Sequence, residues 1–207
     1  MNPLTTAEVC MLYDRNCSFL ETIKYSRSHS SITLIFPSKP NYEIPKEIFL
    51  MPGEIQDDYT SFLCTTTGIF TEYYVEQTNK TWYLMECETF DLPEYQSELR
   101  INVSFAMNVV PQDISTNILI MVKDISVGGL KFISDTKFDT DKTFSFIFTK
   151  GHSPVLINAR IVKQRPTRKT DVYCYSCQFL GLNPKSESAL RGYIFKEDLI
   201  QNKSHPS

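Results

Sequence analysis

Val122-Lys-Asp124-Ile-Ser126-Val-Gly128-Gly129-Leu-Lys-Phe132 is the stretch on which the fold of this chain turns. It reads as one strand running into a turn and a second strand running out. Asp124 ends the first strand with a carboxylate able to accept bonds from a turn backbone or from the N–H groups of a ligand. Ser126 adds a small hydroxyl, and Gly128 and Gly129 permit backbone angles closed to other residues. Taken alone, the same residues would also serve an ordinary Asx-type turn between two strands.

Outward from this turn, short β-like segments continue in both directions. Ile101, Val103 and Phe105 alternate with Asn102 and Ser104, the period of a half-buried strand. Further strands are predicted at Asn117 to Ile125, Gly129 to Ser134, Thr143 to Thr149, Val155 to Gln164 and Val172 to Leu180, with turn signals between them. Six short strands at this spacing point to a barrel or a sandwich, not to a parallel sheet with crossover helices. From Ser186, as a cap after Pro184, the pattern Leu190, Tyr193, Ile194, Glu197, Asp198, Ile200 has helical spacing and predicts a closing amphipathic helix.

Toward the amino terminus, DLPEYQSELR (residues 91–100) is polar and contains Pro93, so it reads as a connector. It divides the chain into domains over 1–92 and 93–207. Before it, Ile32, Leu34 and Phe36 alternate with polar and apolar partners, and Ser61 to Thr67, Gly68 to Gln77 and Thr81 to Glu88 are rich in β-branched and aromatic residues. Pro37, Pro40, Pro45 and Pro52 are too frequent for helix interiors. This is a small β domain. Residues 5–25 show no clear alternation and are expected to hold a short helix.

The composition bounds the function. At 207 residues, 42% hydrophobic and 22% charged, the chain has enough apolar material for two small cores and enough charge to be soluble. A net charge of −3 gives no general attraction to nucleic acid polymers or anionic lipid, so an anionic ligand must be met by a local basic site. No apolar run approaches the roughly 20 residues needed to cross a bilayer, and no secretory signal is evident, so membrane insertion is not expected and a cytoplasmic location is. The six cysteines are expected as free, mostly buried thiols. Cys174 and Cys177 have CxxC spacing, but on a strand residues three apart face opposite ways and cannot share a metal. The basic run Lys163 to Lys169 falls in a predicted hairpin loop, where a solvated surface is the ordinary reading. His29, His152 and His205 stand far apart, and no nucleophile, P-loop or zinc motif is present, so no catalytic or metal residue is expected.

Residues 95–200 as a whole resemble a PilZ domain. Asp124, Ser126 and Gly129 match its [D/N]xSxxG motif, and Arg100 occupies the place of the second arginine of its RxxxR motif. Residues 31–90 look, more loosely, like the β domain that precedes PilZ in YcgR-type flagellar brake proteins. The resemblance implies a mainly β protein: an N-terminal barrel-like domain, then a six-stranded PilZ barrel with a C-terminal helix. It also implies a non-catalytic receptor for cyclic di-GMP, with Arg100, Asp124, Ser126 and Gly129 at the site and a protein partner such as the flagellar motor. A guanidinium can fork onto guanine O6/N7 or onto phosphate, and Asp124 can accept from guanine N1 and N2.

Two positions depart from the family, and at one of them Tyr95 stands where many relatives carry a further arginine. Gln96 stands where the first arginine of RxxxR belongs, with Glu94 and Glu98 beside it. Losing one charge-assisted contact costs about 1.5–3 kcal/mol, on the order of ten- to hundredfold in affinity. Two readings follow: a nucleotide-gated effector that changes the geometry between its domains, and a degenerate PilZ adaptor that binds a protein constitutively.

Overall fold

Alternating side chains become strands along most of the chain in the computed structural model, which describes residues 4–28, 31–53, 61–89, 99–113 and 115–203. The chain divides into two compact units, Met1–Tyr95 and Gln96–Ser207. The boundary expected between residues 92 and 93 lies outside the described residues.

The first unit contains β1 (Glu8–Asp14), β2 (Phe19–Arg27), β3 (Ser31–Phe36), β4 (Glu47–Pro52), β5 (Phe62–Thr66), β6 (Thr71–Val75) and β7 (Lys80–Thr89). Every pairing is antiparallel, in the order β3-β2-β1-β4-β5-β7, and β3 pairs back onto β7 from Ser31↔Glu88 to Phe36↔Tyr83, closing a six-membered ring. β6 continues along β7 beyond β5: Thr66 pairs with Cys87 and Thr71 with Leu84. Leu12, Ile23, Ile32, Leu34, Ile48, Leu50 and Met85 fill the interior.

The helix expected within residues 5–25 is instead the β1–β2 hairpin. Asp14 nucleates its turn, its Oδ1 accepting from the backbone N–H of Asn16 at 2.9 Å and of Ser18 at 2.7 Å, while Cys17 takes φ 64°. The alternation was hidden because both faces are apolar. Cys10 and Leu12 point into the barrel, whereas Tyr13 joins Phe49 and Met51 in a second buried cluster on the other face. β4 escapes sequence reading for the same reason, being buried from Ile48 through Pro52.

The second unit follows the expected strands closely: β8 (Arg100–Pro111), β9 (Ile118–Ser126), β10 (Gly129–Ser134), β11 (Thr143–Phe148), β12 (Val155–Arg165), β13 (Tyr173–Leu180) and helix α1 (Pro184–Lys203). The strands form a closed antiparallel barrel in the order β10-β13-β12-β11-β8-β9. Its interior is aromatic: the Phe132 ring lies 5.8 Å from Phe138, 5.8 Å from Phe144 and 5.2 Å from Tyr175. The buried Tyr175 hydroxyl accepts the Phe138 N–H at 2.8 Å, so no polar group is stranded there. Leu190, Tyr193 and Ile194 of α1 join this core. The helix cap is Asn183, not Ser186. Asn183 Oδ1 accepts the Ser186 N–H at 2.9 Å, Pro184 takes the first helical position where its missing N–H costs nothing, and Ser186 is buried with its hydroxyl 3.4 Å from the Leu156 carbonyl. Cys177 lies in the core and Cys174 on the opposite face of β13, and all six cysteines are free.

Candidate functional site

A bulge at Lys123 creates the site. Ile120 and Val122 point into the barrel, so strict alternation would send Asp124 and Ser126 inward as well. On β10, however, the adjacent residues Phe132 and Lys131 pair with Val122 and Asp124, leaving Lys123 as an extra residue of β9. β8 is irregular at the same level, pairing Asn102 with Asp124 but Phe105 with Val122. Beyond the bulge the faces of β9 exchange: Ile125 enters the core, and Asp124 and Ser126 turn to the outer face. The register then sets Arg100, the first residue of β8, directly opposite Ser126.

Three of the four residues singled out from the sequence converge through their side chains, and the fourth supplies a bare patch of backbone. Arg100 binds Asp124 Oδ1 through Nη1 and donates from Nη2 to Ser126 Oγ at 3.2 Å. The Ser126 hydroxyl in turn donates to the Gly129 carbonyl at 3.4 Å. Asp124 is 6% exposed and Arg100 keeps 29% of its side chain accessible, so the carboxylate is the floor of the site and the guanidinium its open edge. Burial alone would push the Asp124 carboxyl up; the Lys131 ammonium and the Arg100 guanidinium, by charge and hydrogen bond, outweigh it and hold the group below the ordinary carboxylate range. Asp124 is thus ionised at neutral pH.

Gly129 serves a different purpose from the one its sequence context suggests. Its backbone is not in the left-handed region; a Cβ there would stand 2.0 Å from the Cys177 carbonyl oxygen of β13. Only glycine lets β10 and β13 approach this closely, and Phe179 N–H reaches the Gly128 carbonyl at 2.9 Å just beyond. Gln96 lies outside the described residues.

Lys131 is the site residue that sequence reasoning missed. Its Nζ lies 2.9 Å from Asp124 Oδ2 and its backbone N–H donates to Oδ1 at 3.1 Å. The signal was available: counting outward from the two-residue turn Val127-Gly128 sets Ser126 opposite Gly129 and Asp124 opposite Lys131. From the basic run, Arg165 ends β12 and donates through Nε to Ser176 Oγ at 2.6 Å. Among the described residues no three His, Cys, Asp or Glu side chains gather in a way that would hold a metal ion, and no helix is long and apolar enough to cross a membrane.

A six-stranded antiparallel barrel closed by a C-terminal helix, with an acid–hydroxyl–glycine turn beside a strand-initial arginine, defines a PilZ barrel. The PilZ domain family matches residues 95–196, and the chain is a PilZ-domain protein. Solved structures share the fold across both units. YcgR from Escherichia coli in complex with c-di-GMP is 10% identical, with 97% of this chain and 88% of that one covered at a TM-score of 0.56. The Bacillus subtilis inhibitor of motility MotI/DgrA is 12% identical, with coverages of 95% and 98% and a TM-score of 0.50. The MrkH–c-di-GMP complex of K. pneumonia is 12% identical, with coverages of 98% and 92% and a TM-score of 0.50. No curated protein matches the chain in sequence.

Proposed function

We propose that the protein is a non-catalytic, cytoplasmic receptor for cyclic di-GMP, in which the nucleotide changes the relation between the two units and thereby regulates a protein partner in flagellar motility. The observation that carries this reading is the double hold on Arg100. Of its five N–H donors the guanidinium commits one to Asp124 and one to Ser126, so it is aimed in advance and still has donors for a phosphate or for the O6/N7 edge of guanine. Asp124 has about four acceptor positions, and Arg100 and Lys131 occupy three. The one left on Oδ2 suits a guanine N–H. YcgR and MrkH, whose fold the chain shares, are seen with c-di-GMP, and MotI/DgrA is an inhibitor of motility; these support the ligand and the output.

Gln96 in place of an arginine favours a second reading, a PilZ adaptor that has kept the fold and acts by protein contact alone. Calorimetric titration with cyclic di-GMP at one fixed salt concentration separates the two. Binding by the wild type, lost in Arg100→Ala and tightened roughly ten- to hundredfold in Gln96→Arg, is the expected result for a receptor. Silence from both the wild type and a folded Gln96→Arg variant would leave the adaptor as the better account. Small-angle scattering with and without the nucleotide tests whether the relation between the units changes.

A further inference from the structure

We infer that the nucleotide surface does not stop at β10 but continues across the outer face of the barrel onto β13 and β12, where Arg160, together with Lys131, forms a second cationic side. This rests on the reading that cyclic di-GMP binds at Arg100 and Asp124. The register lays out the surface. Arg100 pairs with Ser126, Ser126 faces Gly129 across the turn, Gly129 pairs with Gln178, and Gln178 pairs with Arg160. All five residues face outward, because their chain neighbours Ile101, Ile125, Val127, Leu130, Cys177, Phe179, Ala159 and Ile161 are in the core. At about 4.8 Å per strand, the row from Arg100 to Arg160 spans roughly 19 Å, with a cation at each end. At its centre stands Gly129, the one residue there that cannot carry a side chain, so a flat ligand meets backbone. Arg160 leans inward along this row, its Nη2 lying 3.5 Å from Gln178 Oε1.

Charge explains why the second side is needed. Arg100 and Lys131 against Asp124 leave a single net positive charge, and the ligand brings two phosphates. In most relatives a first arginine of RxxxR would supply the balance; here that position is Gln96. Arg160 restores a forked donor from the opposite end of the row, while Lys131 lies beside the centre, one residue beyond Leu130 and anchored on Asp124.

The test is titration of the full chain with cyclic di-GMP at one salt concentration, with a thermal melt for each variant. Arg160 is exposed, so Arg160→Ala should melt as the wild type does while losing on the order of tenfold or more in affinity. Arg191→Ala, which removes an exposed arginine from the helix, is the control and should change nothing. In a Gln96→Arg background the loss from Arg160→Ala should shrink, because the two arginines serve one need. Lys131→Gln should also weaken binding, but it will lower the melt by stripping Asp124 of a partner, so Arg160 decides the matter. If the wild type binds and Arg160→Ala binds equally well, the extended surface is overturned while the site at Arg100 stands. If only Gln96→Arg binds, no compensation exists and the inference likewise fails. Silence from both the wild type and Gln96→Arg overturns the site reading and this one together.

Discussion

Asp124 couples the chemistry of the site to the stability of the barrel that carries it. Its carboxyl is held below the ordinary range in the folded state, so its stabilising contribution is complete above the unfolded value of about 4 and is lost as pH falls through the lower folded value. Asp124→Asn leaves Lys131 partly buried without its counter-charge and should cost about 3 kcal/mol at pH 7, with the gap to the wild type closing as pH drops below about 4. Urea denaturation across pH 2 to 7 measures this. A gap that stays constant over the whole range would show that ionisation of Asp124 is not what holds the site. At this scale the residues of the cluster were legible in the sequence. Asp124, Ser126 and Arg100 were visible as residue types in a motif, and Lys131 was recoverable by counting from the turn. The reason for Gly129 was not, because it lies in the Cys177 carbonyl, a residue 48 positions away that only the barrel brings near.

Elements were legible where one face is apolar and the other polar, and illegible where both faces are buried. The bounds of β9 to β13 match the expected ones to within a residue or two, and β10 to β12 alternate, with Leu130 and Phe132 inward and Gly129 and Lys131 outward. β1 and β4 do not, since Tyr13, Phe49 and Met51 add apolar character to the outer face. The bulge at Lys123 is the deeper failure of pattern reading. Alternation carried through it would have placed Asp124 and Ser126 among the phenylalanines. Deleting Lys123 removes the extra residue and leaves Val122 inward, Asp124 outward and Ile125 inward in plain alternation, so the core and the outward carboxylate should both survive the deletion. Lys123→Ala keeps the backbone count and should cost under about 1 kcal/mol. Thermal melts of the two variants give the comparison. A deletion variant that fails to fold would mean that Lys123 does more than correct the facing of its neighbours.

On the scale of the whole molecule, the two units have separate cores, and the stretch joining them in sequence is polar with a proline. Limited proteolysis is expected to cut first within residues 91–99 and to yield two resistant β fragments. One resistant body with no cut there would mean that the two units behave as one. The composition changes abruptly at residues 91–100, and the two compact units meet in sequence within that stretch. Ring closure was less legible, since it depends on pairs such as Ser31 with Glu88 that alternation does not reveal. Closure also has a consequence for the order of events while the chain is being made. The first ring has all its strands once Thr89 has been added, but the second cannot close until Leu180, because β13 is the bridge between β10 and β12. At roughly 5–20 residues per second of synthesis, that interval lasts several seconds. Late in it the inner faces of β10 and β12, with Leu130 and Phe132 on one and Ile157 and Ile161 on the other, are made and wait for the strand that joins them.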